Sequence, residues 1–309
     1  MIQRLAFSDL TTIEEPLSLA LGVFDGIHCG HQEVFRCVIE RAKASNGLAG
    51  VLTFEPHPVQ ILAPERAPRR LLASLQHKAV ILQDLGIDLL VVVDFDLEFA
   101  ARSSEEFLQM LRAVPQLHSL AMGADWRFGK ARQGDAELLR AFGEENGILI
   151  DSVPAVMDSG ERVSSTRIRQ ALRDGNIAAA EEMLGRPYSI VGQVVEGKKL
   201  GRTIGFPTAN LVPSCEQLPP AGVWAVEVLG EEQEWLPGVA NLGVRPTVSE
   251  AEKLQMEVHL LDWEGSLYYQ DLEVRFRKFL RGEQKFADLK ELTEQITRDA
   301  NEARQFFKR

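Results

Sequence analysis

His28 and His31 stand three residues apart in Leu21-Gly22-Val23-Phe24-Asp25-Gly26-Ile27-His28-Cys29-Gly30-His31, where an apolar run gives way to a glycine-bracketed turn and then to a helical pattern. At a helix start, two imidazoles at that spacing can face one bound polyphosphate, beside backbone N–H groups and the positive end of the helix dipole. Such a pair stabilises charge that builds up during displacement at phosphorus, which suits adenylyl or cytidylyl transfer. The same residues admit capping or core roles, and His28, Cys29 and His31 admit a reading as metal ligands. Asp25 fits equally as a helix-proximal cap or as a group that orients substrate.

A second constellation, Gly201-Arg202-Thr203-Ile204-Gly205-Phe206-Pro207-Thr208-Ala209-Asn210, holds neither a histidine nor a Walker lysine. In extended backbone Thr208 and Asn210 point the same way and could share a Mg²⁺ ion with ATP oxygens, Pro207 fixing the turn. Phosphorylating an alcohol also needs a carboxylate to accept the hydroxyl proton. Glu257, within the apolar stretch Gln255 to Leu261, is the candidate; its other reading is an outward strand glutamate. His259 shares its face and reads as structural. Between the two constellations, Gly160-Glu161-Arg162-Val163-Ser164-Ser165-Thr166-Arg167-Ile168-Arg169 places hydroxyls and arginines where a helix begins. Arginine in a first turn opposes the helix dipole unless an anion sits nearby, so a phosphate grip is the functional reading and a solvated cap the plain one.

The elements that must hold these groups change character midway. Apolar runs at 18–23, 49–54, 89–95, 119–123 and 148–153 alternate with helical patterns at 32–44, 75–85, 104–112 and 136–146. That alternation predicts a Rossmann-like α/β domain, a parallel sheet with helices on its faces, with the ligand crevice at the carboxyl ends of the strands. Ser103 and Ser104, followed by glutamates, predict the cap of the third helix. A last helix is expected over 166–184. Beyond Gly185-Arg186-Pro187, strands at 188–195, 222–229, 236–241, 254–261 and 267–276 predict a small β-barrel. Phe286, Leu289, Leu292, Ile296, Ala303 and Phe307 predict an amphipathic C-terminal helix covering one side of it. The division expected is 1–185 and 186–309.

The chain has 309 residues with a formal net charge of −11 and no long basic run, which speaks against a nucleic-acid partner and for small substrates. Its three cysteines, Cys29, Cys37 and Cys215, show no Cys-x-x-Cys spacing, so reduced thiols in a cytoplasmic setting are expected. No signal core or membrane span is apparent. The chain is expected as a monomer or weak homo-oligomer.

Eight blocks in order resemble the bacterial bifunctional riboflavin kinase and FMN adenylyltransferase family, also called FAD synthetases. They are Gly22 to His31, Phe54-Glu55-Pro56-His57-Pro58, Phe128-Gly129-Lys130-Ala131-Arg132-Gln133-Gly134-Asp135, Ser164 to Arg169, Leu184-Gly185-Arg186-Pro187-Tyr188, Gly205 to Asn210, Gly243-Val244-Arg245-Pro246-Thr247 and Glu257-Val258-His259-Leu260-Leu261-Asp262. The resemblance implies an adenylyltransferase domain making FAD and a kinase barrel making FMN, both using ATP with Mg²⁺. By the family's pattern Gly22, Phe24, Asp25, His28, His31, Ser165, Thr166 and Arg169 take ATP in the first. Phe54, Pro56, His57, Pro58, Asp125 and Phe128 line its flavin side. In the kinase, Gly201, Gly205, Pro207, Thr208 and Asn210 hold ATP, with Thr208 and Asn210 on the metal and Glu257 as base toward the ribityl hydroxyl. Val23 and Trp126 depart from the family's usual residues. Two other readings stay open on the residues alone: a different nucleotidyltransferase sharing the histidine motif, which leaves the Pro207 to Asn210 segment unexplained, and a flavin-binding regulator without turnover.

Overall fold

The computed structural model describes residues 2–68, 70–196, 204–213, 217–230, 234–245, 253–263, 265 and 271–308. Gly201, Cys215, Pro246, Thr247 and the first residues of the expected strand at 267–276 lie outside them. The chain divides into two compact units, residues 1–71 with 75–165, and 72–74 with 166–309.

In the first unit, strands β1 (Gln3–Ala6), β2 (Leu17–Leu21), β3 (Leu48–Glu55), β4 (Leu89–Asp94), β5 (Leu117–Gly123) and β6 (Leu149–Val153) form one sheet in the order β1-β4-β3-β2-β5-β6. Every pairing is parallel. Alternation along the strands feeds two cores: Leu17, Leu19, Leu21, Leu52, Val91 and Met122 join one, and Ala20, Val51, Leu90 and Ala121 join the other. Helices α1 (Cys29–Ser45), α2 (Pro58–Leu62), α3 (Leu75–Asp84), α4 (Leu97–Ala100), α5 (Ser104–Arg112) and α6 (Ala136–Asn146) complete the layers. Ser103 caps α5 reciprocally with Glu106, as the hydroxyl and glutamate spacing predicts. The order of connections reverses between β2 and β5, so their carboxyl ends frame the crevice of this sheet. A short hairpin, β7 (Met157–Asp158) and β8 (Glu161–Arg162), turns through Ser159 and Gly160, both with positive φ, 52° and 80°.

The helix expected over 166–184 is two helices, α7 (Ser165–Arg173) and α8 (Ile177–Leu184). Gly175 adopts φ 74° and Asn176 accepts from the Ala179 N–H as a new N-cap, so the first helix ends and a second begins.

In the second unit, β9 (Ser189–Val195), β10 (Ala209–Pro213), β11 (Gly222–Leu229), β12 (Trp235–Arg245), β13 (Lys253–Leu260) and β14 (Asp271–Arg281) close into an antiparallel barrel in the order β10-β13-β12-β11-β14-β9. Met256, Val258, Trp224, Val226 and Leu242 are buried on alternate positions that face inward. The C-terminal helix α9 (Leu289–Phe307) is capped by Asp288, so Phe286 precedes it and Leu289 is 68% exposed. Ala300 and Ala303 of α9 pack on Ala225 and Leu261, with Val239 and Phe206 at the edge, which covers one side of the barrel.

Candidate functional sites

The first unit holds a cavity of about 420 Å³ at the crevice between β2 and β5. Its polar end is built by the turn from β2 to α1. Phe24 and Ile27 sit at φ 51° and 46°, a left-handed conformation that is costly for side chains of that size and persists only when surroundings enforce it. The enforcement is visible. The Val23 carbonyl accepts from the Thr53 hydroxyl at 2.9 Å and from the buried Lys78 ammonium at 3.2 Å. The Asp25 carbonyl accepts from the Ser165 hydroxyl at 2.9 Å, and the Ile27 carbonyl from the Gln32 amide at 3.0 Å. Gly22 has no room for a side chain, since a Cβ there would lie 2.7 Å from the Phe24 ring. Phe24 in turn meets His31 edge to face, centroids 5.2 Å apart.

His28 is the N-cap residue of α1 without a side-chain cap bond, and His31 lies three positions on. Their rings stack with centroids 3.6 Å apart and planes 20° apart, and both line the cavity with Gly22, Phe24, Asp25 and Ser165. Asp25 is therefore not the cap of this helix; it is buried beside the histidines. Among the described residues no group of three His, Cys, Asp or Glu side chains is placed to hold a metal ion.

The other end of the cavity is aromatic. Phe54, Phe95, Phe99, Phe107, Phe128 and Trp126 all line it and run in ring contact from Phe54–Phe95 at 5.7 Å to a Trp126–Phe128 stack at 5.1 Å. A Cβ on Gly134 would come within 2.6 Å of the Phe128 ring, and Phe128 and Gly134 exchange both backbone bonds, which closes the loop between them. His57 and Pro58 line the cavity, whereas Pro56 is absent from its wall. Asp125 also lines it and is paired with Arg162 of β8, Nη2 to Oδ1 at 3.0 Å; this guanidinium holds the Asp125 carboxyl below the usual carboxylate range. Thr166 and Arg169 belong to α7 in the second unit, Arg169 buried.

Sequence reasoning missed Lys78, Phe95, Phe99 and Phe107 here, and it read Arg162 as part of a phosphate grip where the structure pairs it with Asp125. Each comes from a different segment, and only the crowding of aromatics between positions 95 and 128, in a chain 7% aromatic, hints at a stacking site.

The second unit has a cavity of about 380 Å³ between the outer wall of the barrel and α9. Thr208, Asn241, Glu257 and His259 line it from the wall, and Leu292, Ile296 and Asp299 from the helix. Glu257 and His259 occupy the outward positions of β13, with Met256, Val258 and Leu260 buried on the alternate inward positions. Glu257 is thus a half-buried outward residue of β13 that lines the cavity, an orientation strand alternation alone left open. Asn210 is buried and stands opposite Glu257 in the ladder, outside the lining residues. Gly205, at φ 85°, and Pro207 are also outside the lining. The wall includes an ion pair the sequence did not suggest: Arg281 of β14 donates to both oxygens of Asp299, at 3.0, 3.0 and 2.8 Å, and Gln295 adds a 2.8 Å bond.

A family profile described as FAD synthetase matches residues 10–167, and one described as riboflavin kinase matches 184–307. Together they span nearly the whole chain. It belongs to the bifunctional riboflavin kinase/FMN adenylyltransferase family. Within that family the chain is 46% identical to the bifunctional riboflavin kinase/FMN adenylyltransferase of Escherichia coli K12, across 95% of this chain and 94% of that protein. Identity to its Bacillus subtilis counterpart is 36%, across 94% and 92%. A solved structure of a macrolide-efflux protein from Streptococcus pneumoniae shares the architecture with TM-score 0.85 and 31% identity, covering 98% of this chain and 99% of that chain. Among the described residues of this family member no helix is long and apolar enough to cross a membrane.

Proposed function

We propose that this chain catalyses two reactions in sequence, phosphorylation of riboflavin by ATP to give FMN and ADP, then adenylylation of FMN by ATP to give FAD and pyrophosphate. Membership of the bifunctional family over both halves carries this reading, and the two separate cavities give it chemical substance.

In the kinase, which we assign to residues 186–309, Glu257 accepts the proton of the terminal ribityl hydroxyl as its oxygen attacks the γ-phosphorus; the bond from phosphorus to the bridging oxygen breaks and ADP leaves. The donors near this centre, a hydroxyl on Thr208, an amide on Asn210 and a carboxylate on Glu257, are all hard oxygens, a set that fits Mg²⁺. Thr208 and Asn210 would hold that ion, which when bound offsets phosphate charge. Gly205 and Pro207 shape the turn before β10, and Gly201, outside the described residues, is assigned to ATP with them.

In the adenylyltransferase, residues 1–185, the nucleophile is the FMN phosphate, already an anion at neutral pH. No base is required: its oxygen attacks the α-phosphorus and pyrophosphate departs. His28 and His31 stabilise the charge that accumulates there, held in place by Gly22, Phe24 and Asp25. Ser165 closes on the nucleotide from the cavity wall, while Phe54, His57, Pro58, Asp125 and Phe128 take the flavin, whose planar ring suits the aromatic end. The net charge of −11 and the small cavities support small molecules as partners, the absence of a Cys-x-x-Cys spacing supports a cytoplasmic setting, and the chain is assigned as a monomer or weak homo-oligomer. A chromatographic time course with riboflavin, ATP and Mg²⁺ tests the sequence of reactions. FMN should rise and then give way to FAD, whereas unchanged riboflavin with conversion of added FMN would remove the kinase.

A further inference from the structure

Strand β10 stops one residue short of the side chain the kinase needs. Asn210 faces Glu257 and Ala209 faces Val258, so one more antiparallel step would set Thr208 against His259. Pro207 has no N–H to offer a neighbouring strand, and the ladder ends at Ala209. A side chain continues where the backbone cannot: His259 Nδ1 lies 2.8 Å from the Pro207 carbonyl oxygen. A carbonyl only accepts, so Nδ1 carries a proton and donates it. Phe206 meets the same imidazole edge to face, centroids 5.3 Å apart at 75°. Thr208 is thereby fixed from both directions, by His259 through the two residues before it and by the ladder from Ala209 onward. Thr208, Glu257 and His259 line one cavity.

Resting on the kinase assignment above, we infer that His259 is a positioning residue for phosphoryl transfer. Its Nδ1–H clamps Pro207 so that the Thr208 hydroxyl is presented to the ATP phosphates, and the imidazole itself transfers no proton. The clamp acts on the nucleotide side and spares riboflavin, whereas a histidine that only supported the fold would weaken both substrates together.

The test uses the full chain with His259→Phe, which keeps an aromatic ring against Phe206 but lacks the donor, and His259→Asn, which restores a donor near the Nδ1 position. His259→Phe should lower kcat/KM for ATP in riboflavin phosphorylation by roughly ten- to a hundredfold, as misplacement of a reacting group does. KM for riboflavin should stay within about twofold, and His259→Asn should recover most of the loss. A thermal unfolding transition of the second unit matching that of the wild type reports a folded barrel in the same samples. Imidazole ¹⁵N spectra of the wild type should show the Nδ1–H tautomer for His259 without any substrate present. Wild-type kcat/KM for ATP in His259→Phe, equal losses for both substrates, no recovery with Asn, or an Nε2–H tautomer would each overturn the clamp. Glu257→Gln run alongside separates the two levels: if it still phosphorylates riboflavin the kinase assignment itself fails, and if it is inactive while His259→Phe is unaffected only the clamp falls.

Discussion

The imidazoles of His28 and His31 are stacked face to face, 3.6 Å between centroids, and the second of them is braced edge-on by Phe24. Phe24 is a non-glycine residue at positive φ whose ring fills the space a Gly22 side chain would need. Geometry of the histidine pair therefore depends on the absence of one methyl group. Gly22→Ala should displace the Phe24 ring, destabilise the first unit by about 1–3 kcal/mol as overpacking does, and slow FAD formation from FMN at least tenfold, on the order expected of a misplaced catalytic group. FMN formation from riboflavin should continue. Rate measurements on both steps check this; an unimpaired FAD step would show that the bracing is irrelevant.

Asp125 and Arg162 form an exposed pair at the wall of the same cavity. Because Arg162 lowers the Asp125 pKa, the pair persists at neutral and mildly acidic pH and is lost only as pH falls through that depressed value. Exposed pairs contribute little to stability, so Asp125→Asn should change unfolding free energy by less than about 1 kcal/mol. Its effect should fall on KM for FMN. A ¹³C-carboxyl titration reads the pKa, and a titration at the ordinary carboxylate value would contradict the pairing in solution.

Glu181 on α8 has the opposite sign. Burial raises its pKa, and its Oε1 is buried without a hydrogen-bond partner among the described residues. A carboxyl with a folded pKa above its unfolded value costs stability as pH rises from the unfolded value through the folded one, and costs nothing below both. Glu181→Gln should therefore stabilise the second unit at pH 7 by a few tenths to about 1 kcal/mol, an upper range discounted for partial exposure, and lose that advantage near pH 4. Denaturant unfolding at the two pH values decides it, and an equal effect at both would refute the burial cost.

Elements with a strong local signature could be read directly from the chain. Alternating apolar runs and helical patterns place the parallel strands after β1, and Ser103 with Glu106 marks the start of α5 to the residue. Short elements escaped: β10 is five residues ending in Pro213, and β7 with β8 pairs two residues each, too little for periodicity to register. The break between α7 and α8 was marked by Asp174-Gly175-Asn176, a stop and a fresh cap that the apolar pattern on either side obscured. In the sites, motif residues close in sequence were legible, including His28, His31 and Thr208. Lys78 beneath the turn, the rings of Phe95, Phe99 and Phe107, and the Arg281–Asp299 pair are joined only by tertiary folding, so no spacing announces them.

Two chemistries on two separate cavities is the central claim, and crossing one lesion in each cavity against both substrates tests it most directly. Chromatography of riboflavin, FMN and FAD should find that Glu257→Gln makes no FMN from riboflavin yet converts supplied FMN to FAD at close to the wild-type rate. The double change His28→Ala with His31→Ala should give the mirror image, with FMN accumulating and no FAD. Loss of both products from either variant, or FAD appearing at a normal rate without the histidines, would contradict the assignment of one reaction to each cavity.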